Sequence, residues 1–160
     1  MKLVQAVLFS CLAFSMLAPA HARPLNAVGA CPQGASMQSA GGIYQGNAQA
    51  MKNVADFAQR HAVATQQEDA WIHAMTGKSG INRLYREGAQ QVVVVTLCNP
   101  TDCEHNRAYI AYEPKTGVYG GSIYEGSQVR EFGPTPEDRM YPEPVASAII
   151  CAQNLDWGTK

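Results

Sequence analysis

The pattern of apolar and polar residues changes period along the chain, from helical spacing to alternation. In NAQAMKNVADFAQRHAV (residues 47–63), apolar side chains recur at helical spacing, and Asn47 is suited to cap the helix. The apolar stripe comprises Met51, Val54, Ala55, Ala58 and Ala62. TQQE at residues 65–68 fits a capping box that opens a second, shorter helix through Trp71 and Met75, which Gly77 would end. The pattern therefore predicts two N-terminal helices.

After residue 80 the period becomes two, which is typical of β-strands with one buried face. QVVVVTLC (91–98) is instead almost wholly apolar and β-branched, so we expect a central strand that is covered on both faces. The turn signals EGAQ and PKTG separate neighbouring strands, which predicts an antiparallel meander of about five strands. The expected strands are residues 81–86, 91–98, 107–113, 118–124 and 127–132.

The remaining segments complete an α+β domain. Residues 23–46 are rich in Gly, Ala, Ser and Pro, and we expect an extended lead-in that is tied down at Cys31. GPTPEDRMYPEP (133–144) predicts a proline-rich loop, and PVASAIICA (144–152) predicts a short apolar helix. This order predicts a central antiparallel sheet with N-terminal helices and a short C-terminal helix.

The N-terminal residues 1–22 have the pattern of a secretory signal peptide. Lys2 precedes an apolar stretch that is too short to span a bilayer, and the small-x-small sequences APA and AHA follow it. We expect cleavage after Ala22, with Ala20 as the alternative. No second apolar run approaches transmembrane length. The sequence thus predicts an exported chain without a membrane anchor, in which residues 23–160 form a single domain.

Four cysteines lie outside the expected signal peptide, and an even number in an exported chain favours disulfides. Four cysteines allow three disulfide pairings. The local choice is Cys98 with Cys103, which leaves Cys31 and Cys151 to join the two ends of the domain. The chain-entropy relation gives about 2 kcal/mol for the small ring and about 5 kcal/mol for the long one. We therefore expect the long link to stabilise the domain and the small ring to set the shape of a loop.

Charge excludes little, but it argues against one class of partner. Without Lys2, 11 of the 12 basic residues remain against 13 acidic ones. Nucleic-acid-binding domains usually carry a basic surplus, so we expect no nucleic-acid partner.

Residues that could support catalysis lack the spacing that active sites need. His61 and His73 lie on predicted helices, where surface or packing roles are more common, and no G-x-S-x-G motif is present. The carboxylates of the sheet region show no spacing beyond that of a solvated sheet. They are Asp102, Glu104, Glu113, Glu125 and Glu131. The tyrosines of the strands are expected to pack in the sheet. We therefore expect no enzyme and no cofactor.

The sequence CNPTDCEH could offer a metal two sulfurs and His105, with Asp102 between them. Structural zinc sites typically have two residues between paired cysteines, whereas four separate Cys98 from Cys103. In an oxidising compartment a disulfide is the expected outcome, so we predict no metal site.

The loop CNPTDC (98–103) would lose most of its conformational freedom through Pro100 and a ring-closing disulfide. A short, rigid polar loop loses little entropy when it enters a partner's cleft, and inhibitors of proteases and glycosidases use this property. The loop is thus a candidate for a cleft-blocking element. The spacing leaves one alternative open, a disulfide that only stabilises the hairpin.

Three segments, WIHAMTG, VVVVTLCNPTDCEHNRAYIAYE and TGVYGGSIYE, resemble the Ivy family of periplasmic inhibitors of vertebrate lysozyme. The resemblance covers roughly residues 48–155. It implies an α+β protein that binds C-type lysozyme by inserting a disulfide loop into the active-site cleft. The family loop reads Cys-Lys-Pro-His-Asp-Cys, and its histidine hydrogen-bonds the catalytic carboxylates of the enzyme.

Carried over by position, the cysteines, the proline and the aspartate of the family loop match this chain. Asn99 stands where the family often has lysine, and Thr101 stands where it has histidine. Threonine is shorter and neutral, so loss of a charge-assisted hydrogen bond predicts lysozyme binding that is weaker by about 10- to 100-fold. His105 lies outside the ring and is not expected to replace the histidine. The resemblance implies that the target-binding residues are Asn99, Pro100, Thr101 and Asp102.

The resemblance implies a periplasmic inhibitor of a C-type lysozyme or another peptidoglycan hydrolase, and it allows a homodimer. One alternative is an immunity protein against a peptidoglycan-degrading toxin. Another is a non-inhibitory envelope protein on the same scaffold, which binds a glycan or controls the cell's own hydrolases. Dependence of binding on the small disulfide would separate a loop-based inhibitor from a glycan binder.

Overall fold

A computed structural model describes residues 31–133 and 141–157. The expected signal peptide and most of the expected proline-rich loop lie outside the described residues. The elements are, in chain order, β1 (Ala35–Ser39), a 3-10 helix (Gly42–Tyr44), α1 (Ala48–Met51), α2 (Ala55–Ala64), α3 (Ala70–His73), β2 (Lys78–Ser79), β3 (Arg83–Glu87), β4 (Gln90–Asn99), β5 (Asp102–Tyr112), β6 (Tyr119–Glu125), β7 (Gln128–Phe132) and α4 (Val145–Trp157).

The strands form one antiparallel sheet in the order β1-β3-β4-β5-β6-β7, and β2 pairs with β4. The meander from β3 to β7 confirms the prediction. The expected number of about five strands was too low, because the described residues form a sheet of seven. The residues 23–46 that we expected to form only a lead-in contain an edge strand, β1, which pairs with β3 along its whole length.

The central strand β4 is buried on both faces, as its apolar sequence predicts. Val93 and Val95 pack with residues of the N-terminal helices in one cluster. Val92 and Val94 pack with α4 in a second cluster on the opposite face. The helices α1 to α3, the sheet and α4 therefore form three layers around two cores, which confirms the α+β class.

The N-terminal helical segment is two helices rather than one. Asn47 caps α1 as predicted, since its side-chain oxygen accepts a hydrogen bond from the Gln49 N–H at 3.1 Å. The chain then leaves the helical conformation at Val54, which precedes α2. The break rotates α2, so that Phe57 and His61 face the core in place of the alanines of the predicted stripe. A phenyl ring buries far more apolar area than a methyl group, which favours this orientation.

The capping box predicted at residues 65–68 is wrong. The hydroxyl of Thr65 donates to the His61 carbonyl at 2.6 Å, so Thr65 ends α2 and does not begin the next helix. Asp69 precedes α3, which is a single turn. Gly77 lies beyond the end of α3, and its N–H donates to the Trp71 carbonyl at 3.1 Å.

The glycine pair of β6 allows two aromatic rings to lie against the strand. A Cβ atom on Gly120 would overlap the ring of Tyr141, and one on Gly121 would overlap the ring of Phe132. The predicted sheet packing of the tyrosines is confirmed by their burial. The tyrosines concerned are Tyr109, Tyr112, Tyr119 and Tyr124. Among the helices in the described ranges, none has the length and apolar character that a membrane span requires.

Candidate functional site

The loop 98–103 is a hairpin turn at the end of the longest strand pair. Asn99 of β4 pairs with Asp102 of β5, which leaves Pro100 and Thr101 as the two turn residues. Both are exposed, and neither has a positive φ. This fits a type I turn, in which proline favours the first central position. The proline ring thus fixes the backbone at the most exposed point of the hairpin.

A bulge in β5 lies directly behind this turn. Cys98 pairs with Arg107, although the next residue of β4, Asn99, already pairs with Asp102. Residues 103–106 therefore have no partner on β4. The Cys98–Cys103 disulfide closes the narrow end of the bulge, with a Cα–Cα distance of 4.8 Å. Bulges of this kind bend a hairpin and redirect its tip.

Asp102 holds the bulge from the inside of the loop. One carboxylate oxygen accepts a hydrogen bond from the His105 N–H at 3.2 Å and lies 3.0 Å from Nδ1 of the same residue. The other oxygen accepts from the Asn106 amide at 3.0 Å. The His105 side-chain hydrogen bond is the main reason that the pKa of Asp102 lies below its ordinary value. Both oxygens thus accept hydrogen bonds from residues of the bulge.

Arg107 fixes the far side of the same bulge. Its Nε donates to the Cys103 carbonyl at 2.8 Å, which ties the disulfide to the point where regular pairing resumes. The disulfide and the hydrogen bonds of the bulge therefore fix the loop in a single conformation. Such preorganisation lowers the ordering entropy that binding would require.

The tip of the loop has its own hydrogen bonds. The side-chain oxygen of Asn99 accepts from the Thr101 backbone N–H at 3.0 Å and from the Thr101 hydroxyl at 2.8 Å. This is an Asx turn, which stabilises the tip independently of the disulfide. The Thr101 hydroxyl therefore donates its proton within the turn.

The segment WIHAMTG supports the base of the loop. Lys78 of β2 pairs with Cys98. A Cβ atom on Gly77 would lie 2.6 Å from the Cys98 carbonyl oxygen and 3.0 Å from the ring of Trp71. Only glycine lets the buried indole and the strand approach so closely. The segment that was interpreted as a helix end therefore also anchors the loop.

The buried histidine of α2 has a structural role. Nε2 of His61 lies 3.0 Å from the Ile72 carbonyl, which can only accept, so Nε2 carries the proton. Nδ1 then accepts from the Tyr119 hydroxyl at 2.6 Å. Burial is the main cause of the lowered pKa of His61. The neutral ring joins α2, α3 and β6 inside one core.

Two of the acidic residues considered for catalysis have partners that are not acidic. Glu113 accepts from the Thr116 hydroxyl, and Glu125 pairs with Arg130 at 3.0 Å. Burial raises the pKa of Glu131, which lies on β7. Across residues 31–133 and 141–157 no cluster of three His, Cys, Asp or Glu side chains could hold a metal ion.

A cavity of about 300 Å³ lies beside α2 and β6, and the loop does not contribute to its wall. Asp56 and Arg60 line it and form a salt bridge at 2.9 Å. The Tyr112 hydroxyl also donates to Asp56 at 2.7 Å. The polar groups of this cavity are therefore largely engaged with one another, and the hairpin is the more distinctive surface feature.

The sequence predicted the ring, the proline and the tip residues, but it missed part of the supporting structure. The four expected binding residues divide into a tip of Asn99, Pro100 and Thr101 and a brace, Asp102. Asn106 and Arg107 belong to the brace as well, and no local sequence signal marks them because a bulge depends on the register between two strands.

A comparison with protein families found one relevant match. The model of the family described as "Inhibitor of vertebrate lysozyme (Ivy)" matches residues 58–154. These residues contain the loop, its brace and the WIHAMTG segment that supports it. No curated protein matched the sequence.

Proposed function

The chain belongs to the Ivy family of inhibitors of vertebrate lysozyme, and we propose that it inhibits a lysozyme or a related peptidoglycan hydrolase by inserting the loop 98–103 into the active-site cleft. The observation that carries this proposal is the construction of the hairpin. Two exposed turn residues are closed by a disulfide and held by hydrogen bonds within the bulge and at the tip.

The shape of the hairpin suits a cleft that normally holds a glycan chain. The turn is narrow, because Cys98 and Cys103 bring the two strands to a Cα–Cα distance of 4.8 Å at its base. Its conformation is set before binding, so little side-chain or loop ordering remains to oppose association. A rigid, narrow and exposed turn supports blocking of a cleft rather than chemistry within it.

We place the protein in the periplasm after removal of residues 1–22. Two disulfides persist in an oxidising compartment, which supports this location. The charged start, the short apolar stretch and the small-x-small sites of the N-terminus support it independently.

The test is lysis of bacterial cell walls by a C-type lysozyme in the presence of the oxidised protein produced from the full chain. We expect inhibition by the natural protein and inhibition at about 10- to 100-fold lower concentration by Thr101→His, which introduces a charged donor at the tip. Ser127→His, on the exposed turn between β6 and β7, is the matched control and is expected to leave inhibition unchanged. Failure of both the natural protein and Thr101→His to inhibit would overturn the proposal.

A second candidate target is a different peptidoglycan hydrolase, including a toxin to which this protein would confer immunity. The observation that favours it is the neutral tip, in which Asn99 and Thr101 replace the lysine and histidine of the family loop. Inhibition of lysozyme by Thr101→His alone would indicate that the natural loop serves such a target. If reduction of the Cys98–Cys103 disulfide leaves target binding intact, the protein is an envelope protein that binds through another surface.

A further inference from the structure

We propose that the carboxamide of Asn99 supplies the hydrogen-bond donor with which the loop contacts an ionised carboxylate in the cleft of its target hydrolase. This inference rests on the proposed function and adds the residue that determines recognition. It places the donor two positions before Thr101, the position that the resemblance assigns to the family histidine.

The orientation of the Asn99 amide follows from its partners. A backbone N–H can only donate, so the atom that lies 3.0 Å from the Thr101 nitrogen must be the oxygen of the amide. The Thr101 hydroxyl lies 2.8 Å from the same oxygen and gives its only proton to it. The NH₂ group of Asn99 therefore lies on the side of the amide away from the turn.

The NH₂ group of Asn99 is available to a partner. No acceptor for it lies within the described residues, and it is not among their buried side-chain atoms that lack a partner. It thus reaches solvent beside the exposed residues Pro100 and Thr101. Its two N–H donors are already oriented by the Asx turn, so a target acceptor would not have to order them.

The other polar side chains of the ring cannot take this role as they stand. The Thr101 hydroxyl proton is used inside the turn. Both oxygens of Asp102 accept hydrogen bonds from the bulge, and a carboxylate offers no donor. His105 is exposed, but it lies in the bulge beyond the disulfide, with Nδ1 held 3.0 Å from Asp102. Asn99 is therefore the side-chain donor at the tip.

A neutral donor at the tip suits an acceptor that carries charge. Hydrogen bonds to an ionised partner are worth more than those between neutral groups. Glycan hydrolases use carboxylates in their clefts, and an inserted turn would reach them. We therefore expect the partner to be a glycan hydrolase whose cleft has an ionised carboxylate where the inserted tip would lie.

The test compares two variants with the natural protein in binding to a C-type lysozyme by calorimetry and in inhibition of lysis. Asn99→Asp keeps the oxygen that accepts from Thr101 and removes only the NH₂ group, with a negative charge in its place. We expect it to weaken binding by at least about 10- to 100-fold, the loss associated with one hydrogen bond to a charged group. Thr101→Val, which removes one neutral hydrogen bond inside the turn, is expected to weaken binding by only about 3-fold.

Two controls test whether misfolding or the change in net charge accounts for the loss of binding. Ser127→Asp introduces the same charge on the turn between β6 and β7 and is expected to bind like the natural protein. The amide resonance of Thr101 in Asn99→Asp is expected to retain its position, since the Asx turn persists. A purely structural role of Asn99 would leave binding by Asn99→Asp intact.

The outcomes distinguish this inference from the proposed function. If the natural protein inhibits lysozyme and Asn99→Asp binds equally well, the role of Asn99 is overturned and the proposed function stands. A larger loss from Thr101→Val than from Asn99→Asp would also overturn it. If the natural protein does not bind the lysozyme, the proposed function and the donor role of Asn99 toward this enzyme both fail.

Discussion

Cys31–Cys151 and Cys98–Cys103 join Cα atoms at nearly the same distance, 4.6 and 4.8 Å, but their partners are 120 and 5 residues apart in sequence. The longer ring removes far more conformational entropy from the unfolded chain, about 5 kcal/mol against about 2 kcal/mol. One disulfide thus acts mainly on the unfolded state. The other acts mainly on the shape of a surface that the folded state presents.

The surroundings of the two bonds agree with this difference. Cys151 is fully buried in the core between α4 and the sheet, and Cys31 lies just before the edge strand β1. Cys98 and Cys103 are only half-buried and stand at the base of the exposed turn. The first bond attaches an edge strand to the last helix. The second adds a covalent bond at the base of a loop that hydrogen bonds help to hold.

Removal of the long link is expected to have the largest effect on stability. Cys31→Ala with Cys151→Ala should lower the free energy of unfolding by up to about 5 kcal/mol, because the unfolded chain regains the entropy of a long open loop. Urea unfolding followed by fluorescence measures this loss. Under conditions where the variant is still folded, inhibition should stay within a few-fold of the natural protein, since the hairpin is unchanged.

Removal of the short link should have the opposite result, a small loss of stability and a large loss of inhibition. Cys98→Ser with Cys103→Ser is expected to cost about 2 kcal/mol in unfolding but to weaken inhibition by about 10-fold or more, because the turn must then be ordered on binding. The double variant of the long link is the matched control. Equal losses of inhibition in the two variants would show that the small ring has no special role in binding.

The sequence predicted the core more completely than the edges. The run of valines in β4 requires two covered faces, and this single feature fixes the three layers. By contrast β1 has the sequence ASMQS, which contains no β-branched residue and alternates only through Ala35 and Met37, and its pairing with β3 is set by tertiary contacts. The alanine stripe failed because Phe57 competes with it for the core.

The candidate site divides in the same way. The ring and Pro100 are visible in the sequence because cysteine spacing and proline geometry act locally. The bulge that holds the ring is not visible, since it arises from the pairing of Cys98 with Arg107. The expected contact of Asp102 with the target stays a prediction, and the structure adds a bracing role, because its oxygens accept hydrogen bonds from His105 and Asn106. Hydrogen bonds between neighbours in a loop depend on backbone shape, which residue types alone do not specify.

The two regions should also differ in their response to pH, which is the smallest effect we expect. Burial lowers the folded-state pKa of His61 below its ordinary value of 6.5, so the unfolded chain binds the proton more readily. The contribution of neutral His61 to the free energy of unfolding is complete above about pH 6.5. Below that pH it declines by no more than about 1.4 kcal/mol per pH unit. The pKa of Asp102 is also lowered, from 3.8, so the brace of the loop persists until far more acidic conditions.

Urea unfolding at pH 8, 6.5 and 5 should therefore show a loss of stability below pH 6.5. Loop geometry, followed by the amide resonance of Thr101, should remain constant over the same range. His105→Gln is the control: this exposed histidine lies in the bulge behind the loop and contacts Asp102, so the variant should retain the decline that originates at His61. If the decline disappears in His105→Gln, the titrating group lies beside the loop and not in the core. The loop, and not the core around His61, would then be the region whose stability depends on pH.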